Sequence, residues 1–333
     1  MGKPQQDPHH FAVKLREVLF TIVGLAASWV VQPQASQSSF HSVAGPDAEI
    51  RAALQAPPAG GLQAGLAWRN LLLRVYEARS FTPLWLTAGR LTPQAIALLS
   101  ELRGAEQRGL RASDYAGDFV PPPNATAADI ARSDVRLSLA AARFISDLHN
   151  GRVAPSDVGY HLDISRPAFD VAGALSALAG APSIPATLDE LEPQFVHYGL
   201  LKKALGRYRL LASHPELSSL PDPGKRALRL GASYDGAPAL RKLLEALGDM
   251  PATDETQGTL IDGPTTRALK AFQARHGLAQ DGALGRDTYR ALTTPFSQRV
   301  RQIELSLERW RWLPPRLDAP AIIVNIPEFR LFA

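Results

Sequence analysis

The stretch TTRALKAFQARHGLAQDGALGRDTYRAL, Thr265 to Leu292, decides how the rest of the sequence is read. Ala268, Leu269 and Phe272 recur at helical spacing, so the segment from Thr265 reads as a helix with one apolar face, closed by Gly277. Asp281-Gly282 turns the chain, and a second short helix follows Gly285. The pattern Thr-x-x-Ala-Leu occurs at Thr265–Leu269 and again at Thr288–Leu292, each closely after a glycine, Gly263 or Gly285. Each copy supplies a turn, a helix start and two apolar residues one turn later. Upstream, Leu240, Leu243, Leu244 and Leu247 form one face of a leading helix, with Pro238 near its start and Gly248 past its end. Residues 228–295 are therefore expected to form a compact three-helix domain. Its core is small, with Phe272 opposite Leu244 and Leu247, and so sensitive to substitution.

Further upstream, His214 to Arg226 is a turn-rich boundary. Before it, helical patterns dominate residues 63–222. Trp68, Leu71, Leu72, Val75 and Tyr76 share one face. Thr92-Pro93 opens a helix that runs to about Gly109. Leu137, Ala141, Phe144, Ile145 and Leu148 mark another, ending at Asn150-Gly151. Thr187 and Glu190 have capping-box spacing. Pro193 interrupts the chain before a helix carrying Tyr198, Leu201, Leu205 and Tyr208. Its basic residues Lys202, Lys203, Arg207 and Arg209, with Tyr208, are expected on a solvated face.

Residues 36–62, rich in Gln, Ser, Ala, Pro and Gly, read as a flexible linker. Residues 1–35 place Lys3, His9, His10, Lys14 and Arg16 ahead of an apolar run from Val18 to Val31. That run is shorter than the ~20 residues of a spanning helix, and its order is that of an export signal, cut near Ala35, or of an uncleaved inner-membrane anchor. Either puts the body of the protein outside the cytoplasm, in the periplasm or cell envelope.

Downstream, Val300, Ile303, Leu307 and Trp310 define a connecting helix within residues 298–316, stopped by Pro314-Pro315. Trp310 continues its apolar face, so packing between the small module and whatever follows is expected. The alternative is that Trp310 and Trp312, with Arg309 and Arg311, stack on sugars. Ile322, Ile323, Val324 and Ile326 then read as a strand, and Phe329 and Leu331 alternate with charges as in a second. Two strands alone are marginal in water. Residues 320–333 are thus expected to open a β-rich domain of which the remainder is missing. The fold class is mainly α, a helical scaffold plus a three-helix domain ending in a β-strand stub.

The chain of 333 residues has room for roughly two domains. A net charge of +4 and a pI near 9.4 are only mildly basic. No Lys/Arg block interleaved with aromatics suggests nucleic acid. There is no cysteine, which excludes disulfides, thiolate metal sites and a cysteine nucleophile within these residues.

Residues 228–295 resemble the small peptidoglycan-binding module of cell-wall enzymes. The resemblance rests on Leu240–Gly248, on Ala268 to Gln273 with Gly277-Leu278, and on Asp281-Gly282-Ala283-Leu284-Gly285 with Thr288. Arg286 stands where that family often has proline, which weakens only a helix start. The flanks, Arg79–Leu110, Asp147–Val153, Leu201–Arg209, Ile303–Pro314 and Val324–Leu331, are similar to the large periplasmic L,D-transpeptidases. Those carry a helical scaffold, the binding module and a YkuD-type β-rich catalytic domain. The resemblance runs from about Arg74 to Ala333. It implies peptidoglycan, glycan or stem peptide, as the partner, and no nucleic acid. It also implies that the membrane is touched only through an uncleaved N-terminal segment. The family's chemistry is acyl transfer by a cysteine within a His…Ser-His-Gly-Cys-x-Arg motif. That motif is absent, so the chain is expected to be the non-catalytic, truncated front of such an enzyme. The alternatives are a stand-alone envelope binding protein or a subunit completed by a separately encoded catalytic piece.

Rival chemistries find little support. There is no Gly-x-Ser-x-Gly, Ser-x-x-Lys, phosphate-binding glycine loop or His-Glu-x-x-His. His161 with Asp163 reads as polar loop residues. Asp189, Glu190 and Glu192 read as carboxylates in a helix's first turn rather than a glycosidase pair. No catalytic residue, metal site or cofactor is assigned. The peptidoglycan-binding candidates are Tyr234, Arg267, Gln273, Arg275 and His276, each weighed against plain solvated surface.

Overall fold

The computed structural model describes residues 46–55, 62–161, 168–252, 258–316, 323–325 and 330–332. The apolar run Val18–Val31, the cleavage region at Ala35 and Asp163 lie outside the described residues. Among the described residues no helix is long and apolar enough to cross a membrane.

The expected linker contains a helix. α1 (Pro46–Gln55) places Ile50 and Leu54 four residues apart, and both are buried in the scaffold core. The surrounding Ala, Pro and Gly hid this stripe, which takes only one turn and a half. α2 (Leu62–Glu77) adds Leu72, Val75 and Tyr76 to the same core. A short antiparallel hairpin follows, β1 (Leu86–Thr87) and β2 (Arg90–Leu91). Its turn, Ala88-Gly89, has φ of 49° and 75°, the doubly left-handed geometry that matches strand twist.

α3 (Pro93–Arg103) starts as read, with the Thr92 side chain accepting from the Ala95 N–H. α4 (Ala127–Asn150) is capped reciprocally by Thr126 and Asp129. Its buried Asp134 accepts from the N–H groups of Leu84, Trp85 and Leu86 and from the Tyr76 hydroxyl at 2.5 Å. Ser138, one turn on, accepts from Trp85 Nε1 at 2.9 Å. Asp134 thereby satisfies three successive backbone N–H groups, and Ser138 the buried indole beside them.

α5 (Val171–Ala179) and α6 (Ile184–Leu191) complete the scaffold core. Here the capping expectation fails. Ser183 caps α6, followed by Pro185 in the first turn, and the Thr187 hydroxyl donates back to the Ser183 carbonyl inside the helix. Ser-x-Pro is the stronger start signal, so Asp189 and Glu190 fall at the C-terminal end and Glu192 caps it. The dipole does not favour carboxylates there. Cations hold two of them instead: Arg108 meets Asp189 at 2.6 Å and Glu192 at 3.3 Å, and Lys202 pairs with both.

α7 (Val196–Ala212) leaves the scaffold and enters the smaller unit. That unit contains α8 (Ala237–Leu247), α9 (Gly263–Arg275) and α10 (Arg286–Leu292). Its core combines the expected Leu240, Leu243, Leu244, Leu247, Leu269 and Phe272 with Leu211 of α7, Leu220 and Phe296. Tyr234 and Tyr289 donate to the Pro221 and Leu220 carbonyls at 2.6 and 2.8 Å, so the boundary segment is strapped to the module.

α11 (Phe296–Arg311) begins in this core and returns along α7 to the scaffold. Leu205, Leu307 and Tyr198 are buried between the two helices. Gly109 has a φ of 72°, and a Cβ there would meet Leu307 Cδ1 at 2.8 Å. Arg311 is fully buried, donating to the Arg108 carbonyl and to the Tyr198 oxygen. Two expectations are corrected. Trp310 packs on Phe195, with centroids 4.9 Å apart, and stacks over His197; it is seated on the scaffold. The basic residues of α7 are mostly engaged, Arg209 with Glu304 at 2.8 Å and Arg207 with the Ala246 carbonyl, while Lys203 stays exposed. Both follow from the apolar stripes of α7 and α11 facing each other. Farther on, β3 (Ile323–Asn325) and β4 (Arg330–Phe332) pair antiparallel, Val324 opposite Leu331.

Asp147 on α4 accepts from the Tyr115 hydroxyl at 2.6 Å near Arg152, Glu308 and Arg311, and burial pushes its carboxyl up to about 6. Between the ordinary carboxylate value and about pH 6, the folded chain keeps a proton that the unfolded chain has lost. The group therefore favours folding most at acid pH, and this contribution fades as pH rises through 6. Asp147→Asn should raise the melting temperature at pH 7.5 and lose that advantage towards pH 4, as read by thermal melts across the range.

Candidate functional site

The surface of α8–α10 is the candidate site, and its residues are best taken from the inside outward. Gln273 is 1% exposed. Its Oε1 accepts from Gly282 N–H at 2.9 Å, and its Nε2 donates to Asp281 Oδ1, the Ala283 carbonyl and Thr288 Oγ1 at 3.0 to 3.1 Å. One amide thus fixes the turn after α9 and the start of α10. Gly282 has a φ of 70°, and a Cβ there would meet Thr266 Cγ2 at 2.7 Å. The Phe-Gln…Asp-Gly signature is therefore the module's own lock.

Tyr234 is also buried, its hydroxyl donating to Pro221; burial pushes its pKa up to about 12. Arg275 pairs with Asp249, Nε to Oδ1 at 2.8 Å, and this hydrogen bond raises its pKa further. His276 stacks on Phe272 with centroids 3.9 Å apart and donates Nδ1–H to the Phe272 carbonyl. Burial lowers its pKa, which keeps it neutral at pH 7. Of the five sequence candidates, Tyr234 and Gln273 are buried in hydrogen bonds within the module, Arg275 pairs with Asp249 past the end of α8, and His276 packs on Phe272 of α9. Arg267 alone of the five is exposed with no ion pair among the described residues.

Two groups were missed. Arg241 is 3% exposed and donates to the Gly258 and Leu260 carbonyls at 2.9 and 2.7 Å. It tethers the approach to α9, and its place among the leucines of α8 gave no sign of this. The second is a cationic edge around the Asp281-Gly282 turn. Lys270 lies one turn beyond Arg267 on α9, so the two share a face. Its Cε is 3.1 Å from where a Gly282 Cβ would lie, and Arg229 reaches Asp281 at 3.5 Å. The Ala283 N–H and Gln273 hold the Asp281 carboxyl below its usual range, so it stays ionised. Such an edge suits carboxylates and polar carbonyls. It contains no nucleophile, and no group of His, Asp and Glu among the described residues could hold a metal ion.

Residues 70–205 match the family model of the Scaffold domain, and residues 234–292 match that of the peptidoglycan binding domain. No curated protein matches the chain. The two matches support the family resemblance read from the sequence, and the mainly helical fold agrees with it.

Gln273→Ala should leave the turn's polar groups unsatisfied and cost about 1–3 kcal/mol. Phe272→Ala should cost about 3–5 kcal/mol. Arg267→Ala should melt with the parent. Thermal melts of the full chain followed by circular dichroism check all three, and a parent-like melt for Gln273→Ala would remove the lock from the account.

Proposed function

We propose that the chain, with its scaffold domain and its peptidoglycan-binding domain, binds cell-wall peptidoglycan as the non-catalytic part of an L,D-transpeptidase-type cross-linking system. The observation that carries this is the pairing of the two family matches in one chain. The cationic edge of Arg229, Arg267 and Lys270 supports it, because stem peptides present carboxylates to such donors. The absence of cysteine supports the non-catalytic part of the reading, since the family's acyl transfer starts from a thiolate. On this reading the body of the protein lies in the cell envelope, delivered by the basic and apolar N-terminal segment, and the thiolate chemistry is supplied elsewhere. A stand-alone binding protein is the second reading, favoured by the same lack of cysteine.

Purified full chain should sediment with insoluble peptidoglycan sacculi, and Arg267→Ala with Lys270→Ala should reduce the bound fraction without changing the melt. Raised salt should weaken it, since exposed charges are screened. Incubated with tetrapeptide-bearing muropeptides, the chain should leave their mass spectrum unchanged. A new L,D-cross-link above the no-protein control would contradict the non-catalytic reading, and full recovery in the supernatant would contradict the binding reading.

A further inference from the structure

At the scaffold end of α11 lies an open cleft of about 360 Å³, lined by Tyr160, Ser306, Arg309, Trp310, Trp312 and Leu313. Three of the six lining residues are aromatic. Tyr160 is 46% exposed and packs against Trp312 with centroids 5.5 Å apart. The Arg309 guanidinium sits 5.9 Å from the Tyr160 centroid. It is exposed and makes no ion pair among the described residues, in contrast to its neighbour Arg311. The Ser306 hydroxyl donates to the Gln302 carbonyl, which leaves its oxygen free to accept. Among the described residues no carboxylate lines the cleft. Trp310 packs on Phe195 and His197 and Trp312 is 7% exposed, so these two rings are held in place, while the exposed Tyr160 offers the open ring surface.

We infer that this cleft is a second peptidoglycan contact, a subsite for the glycan strand. The inference rests on the peptidoglycan-binding reading. Aromatic side chains with one guanidinium that makes no ion pair among the described residues and one hydroxyl acceptor suit a neutral ring that has an apolar face and polar edges. A pyranose bearing hydroxyl and acetamide groups has that character, with Arg309 donating to an acetamide carbonyl and Ser306 accepting from a hydroxyl. A stem peptide fits less well, since its ammonium group would find no carboxylate here. Position argues for the same polymer. Phe296 belongs to the module core, and Arg309 follows thirteen residues later on the same helix, about 20 Å away at 1.5 Å per residue. A polymer held by the module presents its next sugars at high local concentration to a site on the same rod.

The test is a tryptophan-fluorescence titration of the full chain with an oligosaccharide of β-linked N-acetylglucosamine, and separately with a sugar-free stem peptide. Tyr160→Ala and Arg309→Gln change exposed side chains and should melt with the parent. The oligosaccharide should give a saturable change that each variant weakens about fivefold or more. No saturable change in the parent, or parent-like affinity in both variants, would overturn the subsite. Variant-sensitive binding of the stem peptide alone would overturn the glycan assignment. The sacculus experiment fails separately: loss of sedimentation by the parent would contradict the module reading, while the comparison of variants still reads the cleft.

Discussion

The buried guanidinium of Arg311 is the interaction on which the arrangement turns. A fully buried cation far from water is strongly unfavourable unless its donors find acceptors. The backbone carbonyl of Arg108 and the hydroxyl of Tyr198 accept from its Nη2, and the Glu308 carboxylate lies 3.6 Å from its Nη1. Tyr198 in turn donates to Glu192, and Glu192 is paired with Arg108 and Lys202. This chain of contacts joins the end of α11, the start of α7, the end of α6 and the loop at Arg108. It ties α11 to the scaffold at several points at once. Leu205 and Leu307 give that placement its apolar contact, while the charges fix its register. Replacing such a network by well-packed apolar residues can be neutral in stability, so its worth here lies in direction rather than strength.

From that joint the rest of the architecture follows. α7 and α11 run side by side from the scaffold into the smaller core, where Leu211 and Phe296 join α8 to α10. A core too small to be robust alone is enlarged by residues from both supporting helices. The module is therefore presented by two helices rather than by a tether. Its cationic edge on α9 and the aromatic cleft at the scaffold end of α11 are thereby carried on one support.

Much of this was legible where a single helix faced a single core. The stripe of Leu240, Leu243, Leu244 and Leu247, the inward Phe272, the cap at Thr92 and the end of α4 at Gly151 all obey local rules. What escaped the sequence depended on partners distant in the chain. Asp134 reads as an ordinary polar residue until Leu84 to Leu86 fold over it. Gln273 and Tyr234 looked like surface donors because polar side chains usually are; their partners, Gly282 and Pro221, are brought in by turns. Glu192 was misread through a misplaced helix start, since Ser183 and Pro185 outrank Thr187 and Glu190. The basic run on α7 looked solvated because nothing near it announces Glu304 or Ala246. Ile50 and Leu54 were overlooked inside a composition that favours linkers. Site residues were the least legible, because which basic side chains stay exposed, as Arg267, Lys270 and Arg309 do, is decided by packing between segments distant in the chain.

The central claim is that the joint fixes the binding module to the scaffold. Since the chain has no cysteine, spin labels can be placed at will. Arg132→Cys on α4 and Lys242→Cys on α8 are both exposed positions, one in each part. Pulsed dipolar distance measurement between them should give a single narrow distribution, unchanged when peptidoglycan fragments are added. A broad distribution, of the kind a flexible linker produces, would contradict the account.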